Sequence, residues 1–108
     1  MAADVLAQGA ANAVYLRDDA RAQSWAERAI ELEPDNYAVR YNVACAYAVM
    51  AMADTAMRHL EYIYSEIPRA RSWLSDIIVV DTQLNSLCER PDFKALVVHL
   101  RASSQSKS

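Results

Sequence analysis

The pattern of apolar and polar residues along this chain is helical almost throughout. Apolar residues recur at steps of three and four, which places them on one face of an amphipathic helix. In the second helical stretch this face contains Ala22, Trp25, Ala26, Ala29 and Ile30. The spacing predicts four helices before Pro68, over about residues 3–16, 19–32, 37–50 and 54–67.

Proline and short polar residues mark most of the helix ends. Pro34 and Pro68 each follow an amphipathic stretch, and proline disfavours a helical conformation of the residue before it. Asp35 and Asn36 suit the cap of the next helix, because their short side chains can accept a hydrogen bond from a free backbone N–H group. Residues 51–53 read Ala-Met-Ala and contain none of the usual turn residues. Either the preceding helix continues, or a residue other than glycine adopts a strained turn conformation there.

The C-terminal third predicts two further helices separated by a less regular segment. Residues 70–80 form the first of these, although their last four members are β-branched and favour strands by propensity. Residues 81–89 predict a loop with a short helical turn around two leucines, Leu84 and Leu87. Proline suits the first turn of a final helix over about residues 91–101. The polar tail, residues 102–108, is expected to be disordered.

Several residues recur after an interval of 34 positions. Pro34 and Pro68 keep this interval, and four further pairs share it. They are Ala10 with Ala44, Ala22 with Ala56, Glu27 with Glu61, and Val5 with Val39. The alanine pairs fall inside predicted helices and the prolines at helix ends. A stacked helix–turn–helix repeat needs small contact residues and a stop at those places.

The composition restricts both the fold and the function. The 108 residues suit one domain, and 54% hydrophobic residues with one Gly and three Pro favour an all-α fold. A net charge of -3 and scattered arginines provide no basic face for nucleic acid. No apolar run approaches the roughly 18–20 residues of a membrane span, and the N-terminus does not resemble a secretory signal. Cys45 and Cys88 show neither metal-ligand spacing nor a disulfide framework, which favours a reducing, cytoplasmic location.

Two stretches carry a family resemblance. Residues 26–36, AERAIELEPDN, look like the end of one tetratricopeptide (TPR) repeat, and residues 41–47, YNVACAY, look like the start of the next. The recurring alanines and prolines match the small contact residues and closing prolines of that family. The resemblance covers residues 3–68. It implies a single TPR-like domain over residues 3–101, divided into repeats at about 3–36 and 37–70 and a C-terminal capping segment at 71–101.

The fold that this resemblance implies is all-α, a right-handed superhelical stack of antiparallel helix–turn–helix hairpins with C-terminal capping helices. The chain departs from the family pattern at both inner turns, where Arg17 and Ala51 replace the usual glycine. It departs again at Arg40, which stands where the family favours tryptophan.

A TPR stack implies a concave groove that holds a peptide or a partner helix. The implied groove residues come from the first helix of each repeat and from the C-terminal segment. They are Gln8, Ala11, Tyr15, Tyr41, Asn42, Cys45, Val49, Trp73 and Ile77. The resemblance therefore predicts a non-catalytic adaptor or scaffold that binds a protein or peptide, and neither nucleic acid nor a membrane is expected as a partner.

No reactive constellation competes with this interpretation. A catalytic Cys45 would need a base, and His59 lies on a helical stripe expected to face outward. The sequence contains no phosphate-binding loop, metal cluster or nucleophile motif, so neither a cofactor nor enzymatic activity is expected.

The alternative function is self-association into a homodimer. Two repeats are fewer than the roughly three that a stable array needs. The missing contacts would then come from a second copy, through the faces around Trp25 and His59 or through the last helix. The resemblance also suits the C-terminal part of a larger signalling protein, where some TPR arrays occur.

Overall fold

The computed structural model describes residues 19–105, and this part of the chain is helical and contains no β-strand. Its five α-helices are α1 (Asp19–Leu32), α2 (Tyr37–Val49), α3 (Ala53–Glu66), α4 (Arg71–Ile78) and α5 (Pro91–Gln105). Two short 3₁₀ helices, Pro68–Ala70 and Thr82–Leu87, lie on either side of α4. The predicted all-α class is confirmed for these residues. The predicted helix over residues 3–16 lies outside them.

The helix end and the helix start on either side of the α1–α2 turn lie where the sequence predicts them. Helix α1 ends at Leu32, two residues before Pro34. Asn36 caps α2, because its side-chain oxygen accepts a hydrogen bond of 3.2 Å from the Val39 backbone N–H group. The predicted proline stop and polar cap are both confirmed.

The turn between α2 and α3 resolves the open alternative at residues 51–53. Ala51 has a φ of 64°, the left-handed conformation that usually belongs to glycine. The Ala51 N–H group donates to the Ala48 carbonyl at 3.1 Å, and the Met52 N–H group donates to the Tyr47 carbonyl at 2.9 Å. This pair of hydrogen bonds is the Schellman ending of a helix. Helix α2 therefore stops here with alanine in a strained position.

Helix α2 is the central element of the described fold. It packs against α1, against α3 and against the 3₁₀ helix Thr82–Leu87. From Val39 to Ala48 every side chain except that of Asn42 is buried. A helix that is apolar around most of its circumference belongs in a core. The recurring alanines Ala22, Ala44 and Ala56 are all 0% exposed, so their predicted burial at contact positions is confirmed; Ala10 lies outside the described residues.

The C-terminal third packs back onto α2 and α3. Helix α4 packs against α5, and α5 also packs against α3. Leu84 and Leu87 are both 0% exposed, which confirms the short helical turn predicted around them. The Ser86 hydroxyl donates to the Ala48 carbonyl at 3.1 Å and so ties the 3₁₀ helix directly to α2.

Two predicted boundaries in this region were wrong. Helix α4 ends at Ile78 instead of continuing to about residue 80. The last two β-branched residues, Val79 and Val80, form a turn. Helix α5 continues to Gln105, so residues 102–105 of the expected disordered tail are helical. Their sequence, Ala-Ser-Ser-Gln, does not prevent continuation of a helix that is anchored by the buried Leu100. Residues 106–108 lie outside the described part.

Candidate functional site

A single carboxylate connects the C-terminal segment to two residues of α2. Tyr41 and Cys45 are four positions apart, so their side chains leave the same face of the helix. The Tyr41 hydroxyl donates to Asp81 Oδ2 at 2.7 Å, and the Cys45 thiol donates to the same oxygen at 3.7 Å. The other oxygen, Oδ1, accepts the Gln83 backbone N–H group at 2.9 Å and caps the 3₁₀ helix. Asp81 is thereby held from two directions.

Aromatic contacts surround this cluster on the side of α4. Trp73 meets the ring of Tyr37 edge to face at 5.0 Å between centroids, and it meets the ring of Tyr41 in the same way at 5.2 Å. Edge-to-face pairs of this kind stabilise a structure by more than the burial of their apolar surface alone provides. Trp73 therefore packs across two tyrosines of α2 and covers the α2 surface next to Asp81.

The protonation of these groups follows from their surroundings. Burial, and then the negative charge of Asp81, raise the pKa of the Cys45 thiol to about 12. Burial and the hydrogen bond to Asp81 also raise the pKa of Tyr41 well above its usual value. Both groups are therefore neutral donors near pH 7. A thiol must lose its proton to act as a nucleophile, so this environment suits a structural hydrogen bond and disfavours covalent chemistry.

A second polar cluster forms on a different face of α2, around Arg40. Its side chain is buried, with 6% of the residue surface exposed. Nε and Nη2 donate to the Pro34 carbonyl at 3.0 and 2.7 Å, and Nη1 contacts His59 Nδ1 at 3.1 Å. The guanidinium carbon lies 3.6 Å from the centroid of the Tyr62 ring, a close cation–π contact. Arg40 thus stacks on an aromatic ring and also binds a backbone carbonyl.

His59 belongs to this second cluster, and its expected outward orientation was wrong. Its ring is half-buried and stacks on Tyr47 at 5.7 Å between centroids. A guanidinium can only donate, so Nδ1 of His59 must accept and the ring proton belongs on Nε2. Burial, and then the charge of Arg40, lower the pKa of His59 to about 4. His59 is neutral near pH 7, and its contacts are with different groups from those of Cys45.

The structure separates the predicted groove residues into three groups. Tyr41 and Cys45 are buried at 3% and 4% exposure, and both contact Asp81. Trp73, which contacts Tyr41, and Ile77 are half-buried in α4. Asn42 and Val49 are exposed on α2, with Val49 at 53% exposure. Three further groove residues, Gln8, Ala11 and Tyr15, lie outside the described residues.

Asp81 is the central residue that sequence reasoning missed. A local signal for its capping role was present, since a short acidic side chain preceding Thr82–Leu87 suits a helix start. Its contacts with Tyr41 and Cys45 span 40 and 36 positions along the chain, and no local pattern announces them.

The described residues offer no recognisable metal site or membrane span. No group of three or more His, Cys, Asp or Glu side chains between residues 19 and 105 is placed to hold a metal ion. Among the same residues, no helix combines the length and the apolar character that crossing a bilayer would require.

Comparison with known proteins gave no relative. No protein-family model matches the sequence. The searches of curated proteins and of solved structures also returned no match. What can be said about function therefore depends on the residues and their contacts.

Proposed function

We propose that this chain is a non-catalytic protein-interaction module built as a right-handed stack of TPR-like helix hairpins, with α2 and α3 forming one hairpin. The interval of 34 residues supports this proposal, because the alanines it selects in α1, α2 and α3 are all 0% exposed. Each closing proline also stands just after a helix, Pro34 after α1 and Pro68 after α3.

The observation that carries the proposal is that the reactive groups of α2 are already engaged. Within residues 19–105, every buried side-chain nitrogen and oxygen has a hydrogen-bond partner. The thiol of Cys45 and the hydroxyl of Tyr41 are protonated donors to Asp81. An active site would keep such a group available for a substrate. Of the three residues that α2 leaves exposed, Ala38, Asn42 and Val49, the last two provide hydrogen bonding and apolar contact, which are the means of recognition.

The proposed partner site is the exposed edge of the groove. Asp81 and Trp73 cover Tyr41 and Cys45, so these two residues support the groove from beneath. A bound peptide or helix would contact Asn42 and Val49 directly. The Asn42 amide can bond to a peptide backbone group, while an apolar partner residue covers Val49 about two turns further along the same face of α2.

Affinity capture with fold-neutral variants tests this function. The immobilised wild-type chain is compared with the double variant Asn42→Ala/Val49→Ser and with Leu32→Ser. Leu32 is 49% exposed on α1 and is therefore a matched control for Val49 at 53%. We expect a defined set of captured proteins that the double variant loses and the control retains, with direct binding then measured on the purified partner. If no protein is enriched over empty matrix, the interaction function is wrong.

Self-association is the second candidate, and exposed valines in the C-terminal segment favour it. Val79, Val80 and Val98 are 50%, 71% and 63% exposed. Exposed aliphatic side chains are available for contact with a second copy of the chain. Sedimentation velocity at low and high protein concentration separates the two candidates. A dimer that is lost in Val80→Ser/Val98→Ser supports self-association, whereas a monomer at all concentrations rejects it.

A further inference from the structure

An open pocket lies beside the turn that follows α4. Its volume is ≈ 440 Å³, and it lies between the end of α4, the 3₁₀ helix Thr82–Leu87 and the first turns of α5. This volume falls within the range of roughly 300–1,000 Å³ that is usual for ligand sites. We call it the Val80 pocket; it is distinct from the groove edge at Asn42 and Val49.

The apolar part of the Val80 pocket has an exposed rim. Val79 and Val80 form this rim at 50% and 71% exposure, whereas Ile78 and Phe93 are buried at 2% and 5%. Val97 of α5 completes the apolar lining. An aliphatic side chain placed here would cover both rim valines and rest on a preformed apolar base.

The polar part of the pocket contains one acidic side chain, one basic side chain and two neutral side chains that can form hydrogen bonds. Asp81 is the acidic residue of the lining, and both of its oxygens already accept hydrogen bonds. The side chains of Thr82 and Asn85 form no hydrogen bond with any group of residues 19–105, and each of them can both donate and accept one. Lys94 forms only a 3.6 Å ion pair with Glu89, and the two side chains are 61% and 95% exposed. Such a surface pair is weak and easily exchanged for another carboxylate.

We infer that the Val80 pocket binds the C-terminal end of a partner polypeptide, with an aliphatic last side chain against the valines and the terminal carboxylate at the Lys94 ammonium group. This inference rests on the proposed interaction function and names its partner chemistry. A peptide suits the site better than a fatty acid, because the amide of Asn85 and the hydroxyl of Thr82 can bond to peptide groups and find no partner on a methylene chain. The open rim also leaves room for the rest of the partner chain.

An exposed thiol in the lining provides a direct assay. Cys88 lines the pocket and is exposed, whereas Cys45 is buried and its pKa is raised to about 12. A thiol reagent should therefore modify Cys88 selectively, which a Cys88→Ser variant checks by failing to react. A bound peptide should slow this modification in a saturable manner. The probes are acetyl-Gly-Ser-Gly-Ser-Val with a free carboxylate, the same peptide as its C-terminal amide, and hexanoate.

The expected result is saturable protection by the free-acid peptide, with at least about fivefold weaker protection by the amide, because the amide lacks the charge-assisted hydrogen bond. Lys94→Gln should remove this preference, whereas Arg101→Gln, a charge change on the same helix outside the lining, should retain it. Val80→Ser should weaken the protection of Cys88 by both peptides to the same extent. Circular dichroism confirms that each variant keeps its helices.

Three results would overturn the inference: equal protection by acid and amide, protection by hexanoate without protection by the peptide, or a carboxylate preference that survives Lys94→Gln. Affinity capture tests the interaction function, and Cys88 protection tests the pocket. Captured proteins that bind the Val80→Ser variant at full strength would reject the pocket and leave the interaction function intact.

Discussion

Replacing Ala51 with glycine should stabilise the protein. Ala51 has a φ of 64°, and a left-handed conformation costs an L-residue roughly 1–2 kcal/mol that glycine does not incur. Glycine also makes the unfolded chain more flexible, and this lowers the free energy of unfolding by about 0.4–1 kcal/mol. The residue is exposed, so no packing is lost, and the backbone hydrogen bonds of Ala51 and Met52 remain. The balance is a gain of about 0.5–1 kcal/mol, or about 3–6 °C in Tm for a domain of this size.

Thermal unfolding followed by circular dichroism measures this change. Ala95→Gly is the matched control, because Ala95 is exposed in the interior of α5 and glycine there should cost about 1 kcal/mol. The two identical substitutions should therefore shift Tm in opposite directions. A fall in Tm for Ala51→Gly comparable to that of the control would show that Ala51 is not in a left-handed conformation in solution, and the assigned end of α2 would be wrong.

Three further predictions concern the buried contacts. Asp81→Asn should lower the free energy of unfolding in urea by about 2 kcal/mol, since its hydrogen bonds lose the charged acceptor, whereas the exposed Asp76→Asn should stay within about 0.5 kcal/mol; equal effects would contradict a central role for Asp81. The pKa of His59 is about 4 in the folded state, below the usual value of about 6.5, so the unfolded state takes up the proton first as pH falls. Stability should be unaffected by this group above pH 6.5 and lower by roughly 1–2 kcal/mol at pH 5 after allowance for partial exposure; His59→Gln should flatten that decline, and an unchanged pH profile would contradict the burial argument. Ala56→Arg should abolish cooperative melting, because overpacking alone costs roughly 1–3 kcal/mol before a charge is buried, while Glu61→Arg on the exposed face of the same helix should melt normally; a normal melt for both would contradict the close contact at Ala56.

The helices and most of their ends could be predicted because their signals are local. Periodic apolar residues, Pro34, Pro68 and the Asn36 cap each act over a few positions, and the structure contains the corresponding features. The ending of α2 was left open for a physical reason. Continuing the helix and straining Ala51 differ by only about 1–2 kcal/mol, and that difference is decided by the packing of α3 against α2.

The polar contacts could not be predicted, because they depend on how distant elements meet. Arg40 and His59 are 19 positions apart, and Tyr41 and Asp81 are 40 apart. A charged residue in a helical pattern is usually assigned to the solvent side. Only the three-dimensional arrangement shows that Arg40 finds a carbonyl, an imidazole and an aromatic face within reach. The exposure of Asn42 and Val49 on one face of α2, by contrast, agrees with their spacing of seven positions, which is two helical turns.

The two polar clusters together explain how α2 is held in one register. Arg40 and Tyr41 are consecutive, so their side chains leave the helix about 100° apart. The first binds the α1–α2 turn and α3, and the second binds Asp81 in the C-terminal segment. Alanine contacts let helices approach closely but select a register poorly, because one small apolar side chain resembles the next. Directional hydrogen bonds add that selection, as buried polar groups do in some other helical assemblies. Because these bonds are made by the buried residues Arg40 and Tyr41, they hold α2 in place without using its exposed side chains Asn42 and Val49.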